Sequence, residues 1–368
     1  MALKEADRAG HVLEHDVRPP PPSRFPKYPI SWYLFCYSGQ LRSGPFAKSF
    51  LERRMVAYRA RSGRVVVMDA RCSHLGADLG AGTVVGDGIR CPFHDWTYGP
   101  DGRCTHIPAQ ADIPITAKQT CYPVEERHGM VFIFNGSRPL FPLPFFPNCR
   151  PDELIPSRPF GTVLDCPWYM AGANAFDLQH FRAAHDRRLE GDPLVEQPFP
   201  YAFRASGRFV VAGNSLQDRL TRSFAGDSVT LGIIDWCGTL SFATAEFRRT
   251  STYGLVAREP LEDGQVRVDV IVFAHRSTSG WRQLLWDPIH LRVRRHFIKQ
   301  FLTADAIRLN GVRLNPAGMI DADREMAMYL NWLSTTSLGQ PATCERPSIQ
   351  GSPDSMTVSC CAPSEVET

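Results

Sequence analysis

From Trp32 to about Asn135 apolar and polar positions alternate in short runs broken by turns, the period-two signature of half-buried strands. The stretches "RRMVAYRA" and "RVVVMDA" read as strands joined at Arg61-Ser62-Gly63, and "GMVFIFNG" reads as another. Ahead of them, "RPPPPSRFP" can be neither regular helix nor central strand, because proline lacks the amide hydrogen that both require. A second proline-rich stretch, "RPLFPLPFFPNCRP", predicts a boundary. Beyond it comes a helical stretch over about 170–184, then alternating segments "RFVVAG", "SVTLGII", "TLSFATAEF", "TYGLVA" and "VRVDVIVFA". Two helical stretches close the pattern, near 289–313 and 320–334, and the Ser/Pro-rich tail from Gln340 predicts disorder. The expected architecture is α+β: a Pro-rich extension over 1–29, a small all-β domain over 30–140, a second domain over 141–339 with an antiparallel sheet flanked by helices, and a tail over 340–368.

Composition narrows the class without changing this outline. The chain has 368 residues, 43% of them hydrophobic and 21% charged, which is ordinary for a globular protein. A formal net charge of +3 gives no general affinity for nucleic acid or membrane. No apolar run approaches the length of a membrane span and the N-terminus lacks a secretory apolar core, so the expected location is cytoplasmic. The 11 cysteines are odd in number and scattered, which argues against a disulfide framework and for buried free thiols.

Two pairs of residues stand apart. "CSHLGADLG" supplies Cys72 and His74, and "CPFHDW" supplies Cys91 and His94, each pair following a β segment. Four soft or borderline ligands on two loops suit zinc or an iron–sulfur cluster. The single residue between Cys72 and His74 is tighter than zinc-finger spacing. One Cys and one His per loop suits a [2Fe-2S] cluster whose irons differ in ligands, thiolates on one and imidazoles on the other. Gly76 and Gly80 are expected to let the first loop turn closely, and Pro92 to stiffen the second.

"CSHLG…CPFHDW" resembles the Rieske motif. The positions that carry an extra disulfide in respiratory-chain Rieske proteins are Ala77 and Phe93 here, so the resemblance points to the soluble ferredoxin and oxygenase branch. An electron carrier needs only the first hundred or so ordered residues, yet more than half the chain follows. There, "NAFDLQHFRAAH" resembles the Asn-x-x-Asp-x-x-His-x₄-His signature of Rieske non-heme iron oxygenases, matched by Asn174, Asp177, His180 and His185. Two His and one carboxylate are the usual ligands of a mononuclear Fe(II) that activates dioxygen. On an ideal helix residues five apart point about 140° away from each other, so the helix is expected to bend, widen or end between His180 and His185. Asp177 is three residues before His180, where its carboxylate can accept a proton from the imidazole.

The family takes its third iron ligand from a late helix. "FLTADAIRLNG" offers Asp305 with a bulky apolar residue four before it; Asp321 and Asp323 are the rivals, better suited to starting the last helix. His106, His128, His290 and His296 are expected at the surface or in turns, and "RVRRH" on a solvated face that could dock an acidic redox partner. The resemblance implies a helix-grip catalytic domain, a ferredoxin or flavin reductase delivering electrons from NAD(P)H, and a head-to-tail homotrimer. In that ring Asp177 would bridge His180 to His74 or His94 of the next subunit. Phe203, Phe209, Phe224, Phe242 and Phe247 on the expected pocket strands suit an apolar cyclic or aromatic substrate. The first-domain motif is similar to that of arylamine N-oxygenases, a likeness in the electron-transfer part that leaves hydroxylation, dealkylation, N-oxidation and oxidative ring closure all standing as reactions. A Rieske electron-transfer protein without oxygen chemistry is the alternative of another class.

Overall fold

The computed structural model describes residues 18–341; the first part of the predicted N-terminal extension and nearly all of the predicted tail, with Cys344, Cys360 and Cys361, lie outside them. The first part of the chain contributes strands β1 (Trp32–Tyr37), β2 (Phe46–Phe50), β3 (Arg53–Arg59), β4 (Val65–Asp69), β5 (Thr83–Val85), β6 (Gly88–Arg90), β7 (Thr97–Tyr98), β8 (Cys104–His106), β9 (Val124–Arg127) and β10 (Met130–Phe134). They form three antiparallel sheets, ordered β1-β10-β9, β2-β3-β4 and β5-β6-β7-β8. The last of these is short because its strands serve mainly to present two loops, one running from β4 to β5 and one between β6 and β7.

The second part is built on an eight-stranded sheet: β11 (Leu154–Pro156), β12 (Phe160–Leu164), β13 (Arg187–Phe199), β14 (Ala202–Val211), β15 (Ser228–Trp236), β16 (Leu240–Phe247), β17 (Ser251–Pro260) and β18 (Val266–His275). In the order β11-β18-β17-β16-β15-β14-β13, strands β13 to β18 are a meander of sequence neighbours, and β11 and β12 both return to pair with β18. Five helices pack around it: α1 (Trp168–Ala173), α2 (Leu178–His185), α3 (Leu216–Phe224), α4 (Gly280–Leu309) and α5 (Arg324–Thr336). The expected antiparallel sheet with flanking helices is therefore present.

Three features were not expected. Strand β13 carries Gly191, Pro193 and Pro198, which hide it in the sequence pattern; as the edge strand it tolerates prolines and two register shifts against β14. Helix α3 was also missed, although Ser215 and Asp218 form a capping box at its start. Helix α4 begins at Gly280 rather than near 289, because it runs through Pro288 instead of starting beyond it. One apolar core joins the two parts. Trp32 and Phe134 from the first pack with Phe242, Leu255 and Phe273 of the large sheet, all buried. Among the described residues no helix is long and apolar enough to cross a membrane.

Candidate active site

The two Cys/His loops come together at one end of the four-stranded sheet. Cys72 and Cys91 are buried, while His74 and His94 are exposed with ring centroids 4.7 Å apart. Backbone hydrogen bonds shape each loop: Cys72 N–H donates to Ala77 O and Gly76 N–H to Cys72 O, and Cys91 N–H donates to Trp96 O. Burial pushes the Cys91 thiol up, opposed by the backbone N–H groups of Phe93 and His94, which favour a thiolate. Buried sulfur inside and imidazole at the surface is the donor set of a [2Fe-2S] cluster with unlike irons.

Three neighbours of this set were not singled out from sequence. Tyr98 OH lies 3.0 Å from Cys72 Sγ and 2.9 Å from Ser73 Oγ, and Trp96 stacks on His74 at 4.5 Å. The two glycines act differently from one another. Gly76 has φ of 79°, the left-handed turn expected of it. Gly80 instead allows close packing, since a Cβ there would lie 2.4 Å from that of Ala47.

The second cluster of donors is His180, His185 and Asp305, whose ligand atoms all lie within 4.8 Å of one another. His185 Nε2 is 2.7 Å from Asp305 Oδ1 and His180 Nε2 is 3.8 Å from it. Asp321 and Asp323 form a 3₁₀ turn before α5, and Asp323 accepts from Gln179 Nε2 and from its own turn instead. The helix neither widens nor ends between the two histidines. Helix α2 runs unbroken through both and ends on His185, where Asp186 turns into the left-handed conformation at φ of 50°. Side-chain reach toward α4 brings the rings together, with centroids 5.4 Å apart.

Asp177 also differs from expectation. Its carboxylate accepts from the backbone N–H groups of Gln179 and His180 and so caps α2, while its carbonyl oxygen lies 2.5 Å from His180 Nδ1. A carbonyl only accepts, so Nδ1 carries the hydrogen and Nε2 presents its lone pair to Asp305 and His185. Burial holds the pKa of His180 below the usual value against the pull of Asp305, which favours this neutral tautomer. His185 is fixed differently. Phe301, the bulky residue four before Asp305, stacks on its ring at 3.5 Å and 9°. Arg187 donates to the His185 carbonyl and to Asp218, each at 2.8 Å. Two imidazoles and one carboxylate fit a divalent iron, with other positions open.

A cavity of about 1070 Å³ begins at these residues and runs between the sheet and α4. His180, Asp305 and Asn174 line one end; Leu231, Ile233 and Phe297 line the apolar middle. Of the phenylalanines expected there only Phe247 lines it, whereas Phe203, Phe209 and Phe242 are buried core and the Phe224 side chain lies outside the described set. Phe203 packs on Tyr329 and Trp332 of α5, and Phe209 on Phe181 of α2, while Phe181, Phe297 and Phe301 of α2 and α4 line the cavity. His290 and Arg294 line the cavity rather than a solvated face: Arg294 Nε donates to Ser251 O, and His290 Nε2 lies 3.1 Å from Asp287. Arg295 likewise donates to the carbonyls of Arg158 and Pro159, so of "RVRRH" only Arg292 and His296 stand as exposed basic residues.

Comparison with known proteins adds four observations. Residues 31–123 match the Rieske [2Fe-2S] domain family. Over 122 residues the chain is 41% identical to aminopyrrolnitrin oxygenase PrnD of Pseudomonas fluorescens, covering 31% of this chain and 34% of that one. Over 161 residues it is 35% identical to the oxygenase subunit of tert-butanol monooxygenase / tert-amyl alcohol desaturase of Aquincola tertiaricarbonis, covering 42% and 34%. The chain thus spans about a third of the length of these curated relatives. Its whole fold is similar to the structure of a Pseudomonas putida CBB5 NdmA mutant with caffeine, at a TM-score of 0.62 and 20% identity, covering 84% of this chain and 90% of that one.

Proposed function

We infer that this chain is a Rieske non-heme iron oxygenase and works as a terminal oxygenase component that oxidises an apolar cyclic or aromatic small molecule with dioxygen. The observation that carries this reading is the convergence of His180, His185 and Asp305 at the end of a large apolar cavity. A carrier of electrons has no use for such a cavity or for a second donor set at its end. We assign Cys72, His74, Cys91 and His94 to the cluster, over a Rieske domain of residues 30–140, and the three other ligands to an iron domain of residues 141–339.

When bound, the cluster supplies single electrons that originate in NAD(P)H and arrive through a ferredoxin or flavin reductase, and the ferrous ion supplies dioxygen activation. The residues of this chain do the rest. The Asp177 carbonyl keeps the proton of His180 on Nδ1, so that Nε2 stays free to ligate. Phe301 and Arg187 hold His185 in place. Leu231, Ile233 and Phe297 exclude water and seat an apolar substrate, and Asn174 presents a polar group beside it. By likeness to the family the working oligomer is a ring of three, in which Asp177 faces His74 or His94 of the next copy.

Metal analysis of anaerobically purified protein tests the class. About three irons per chain and labile sulfide are expected; about two irons would reduce the protein to an electron carrier, and zinc without sulfide would overturn the reading. Labelled dioxygen with a surrogate reductase and a panel of aromatic and polycyclic compounds then distinguishes hydroxylation from N-oxidation or ring closure.

A further inference from the structure

The amino-terminal half of α4 carries apolar side chains on its outer surface. Leu284 is 76% exposed, and Trp281, Leu285 and Trp286 are each more than half exposed. Leu284 and Leu285 lie three and four residues after Trp281, and Ile289 four after Leu285, so they share a face. Along the same face the next residues are Arg292, His296 and Lys299, all exposed. These basic residues thus follow the apolar ones along the axis of α4, Arg292 rising about 10 Å beyond Leu285 and about 4.5 Å beyond Ile289. Arg282 adds a guanidinium 5.2 Å from the Trp281 ring. The two acids of α4, Asp287 and Asp305, are both buried, so none opposes this charge from the helix surface.

We propose that this half of α4 is a docking surface for an anionic lipid bilayer. Trp281, Leu284, Leu285 and Ile289 enter the boundary between headgroups and acyl chains, while Arg282, Arg292 and Lys299 meet the lipid phosphates. The spacing suits this, because an interfacial helix sinks its apolar part only about 5–10 Å below the headgroups. Two arguments favour lipid over a second copy of the chain. The basic collar is complementary to an anionic surface. Moreover, Ile289 on this face and Trp286 and Val293 beside it line the cavity and are about half exposed, so a second copy seated here would close the cavity mouth. Docking on lipid instead opens the mouth onto the phase in which apolar molecules concentrate. That last consequence rests on the proposed function; docking itself does not. The lack of a membrane-spanning helix has no bearing on a surface attachment of this kind.

Flotation of the full-length chain with vesicles tests the proposal, using phosphatidylcholine alone and phosphatidylcholine with one quarter phosphatidylglycerol. Wild-type protein is expected on the anionic vesicles. Binding should fall at least about tenfold on phosphatidylcholine alone, and equally in Leu284→Glu/Leu285→Glu and in Arg292→Glu/Lys299→Glu. Circular dichroism and solution mass accompany each variant; if the leucine pair misfolds, the charge pair, at exposed positions, carries the test. Absence of wild-type binding to either vesicle, or binding undiminished in the variants, overturns the proposal. A smaller solution mass for the leucine variant also overturns it, since a second copy would then own the face. None of these readouts depends on turnover, so they stand or fall separately from the oxygenase assignment.

Discussion

The carbonyl oxygen of Asp177 lies 2.5 Å from Nδ1 of His180, while the carboxylate of the same residue caps the helix that carries that histidine. One residue therefore orients the ring through its backbone and starts the helix through its side chain. The two roles separate under mutation, because alanine keeps the carbonyl and loses only the cap.

Asp177→Ala is accordingly expected to retain iron while losing about 1 kcal/mol of stability from the missing cap. If the carboxylate also faces a cluster histidine of the next subunit, turnover falls by roughly one to two orders of magnitude with iron content unchanged. Iron analysis alongside single-turnover rates checks this; wild-type turnover would remove the side chain from the electron route.

His185→Ala and Asp305→Ala each remove one member of the set that gathers within 4.8 Å. Both should lower the iron content from about three to about two per chain and abolish product, with the visible spectrum of the cluster intact. Loss of the cluster spectrum in either variant would contradict the separation of the two sites.

Tyr98→Phe deletes the hydroxyl 3.0 Å from Cys72 Sγ. A donor to a ligating sulfur stabilises the reduced, more negative cluster, so the variant should have a reduction potential lower by on the order of tens of millivolts. Potentiometric titration followed by electron paramagnetic resonance would measure it. An unchanged potential would mean that the hydroxyl serves Ser73 alone.

Asp218→Asn strands Arg187, with which Asp218 forms a buried pair at 2.8 Å. Burial pushes the Asp218 carboxyl up, but hydrogen bonds from Ser215 and Arg187 outweigh it and leave the pKa below its ordinary value. A depressed folded pKa contributes stability above the unfolded value of about 4, and that contribution is lost as pH falls through the folded value. The substitution should cost roughly 3–5 kcal/mol near neutral pH. The gap between wild type and variant in urea midpoint should narrow as the solution is acidified below about pH 4. A gap independent of pH would show that packing, not charge, makes the difference.

Much of the site was legible because its chemistry is local. Cys72, His74, Cys91 and His94 announce themselves by spacing within two loops, and His180 and His185 by their place in one short segment. The period-two runs likewise located β14 to β18, whose strands pair with their sequence neighbours. Elements that break local rules were lost: β13 with its prolines, and the start of α4 ahead of Pro288.

What only tertiary structure decided depends on contacts between distant segments. Nothing between residues 185 and 305 says that Phe301 will stack on His185, or that Arg187 will bridge to Asp218. Nor does strand periodicity say which phenylalanines face the core and which the cavity, since α2 and α4 fill that layer. Pattern along a chain records which residues seek burial and which can bind metal. The partner each one meets is set by how sheet and helices pack, and that is a property of all the long-range contacts together.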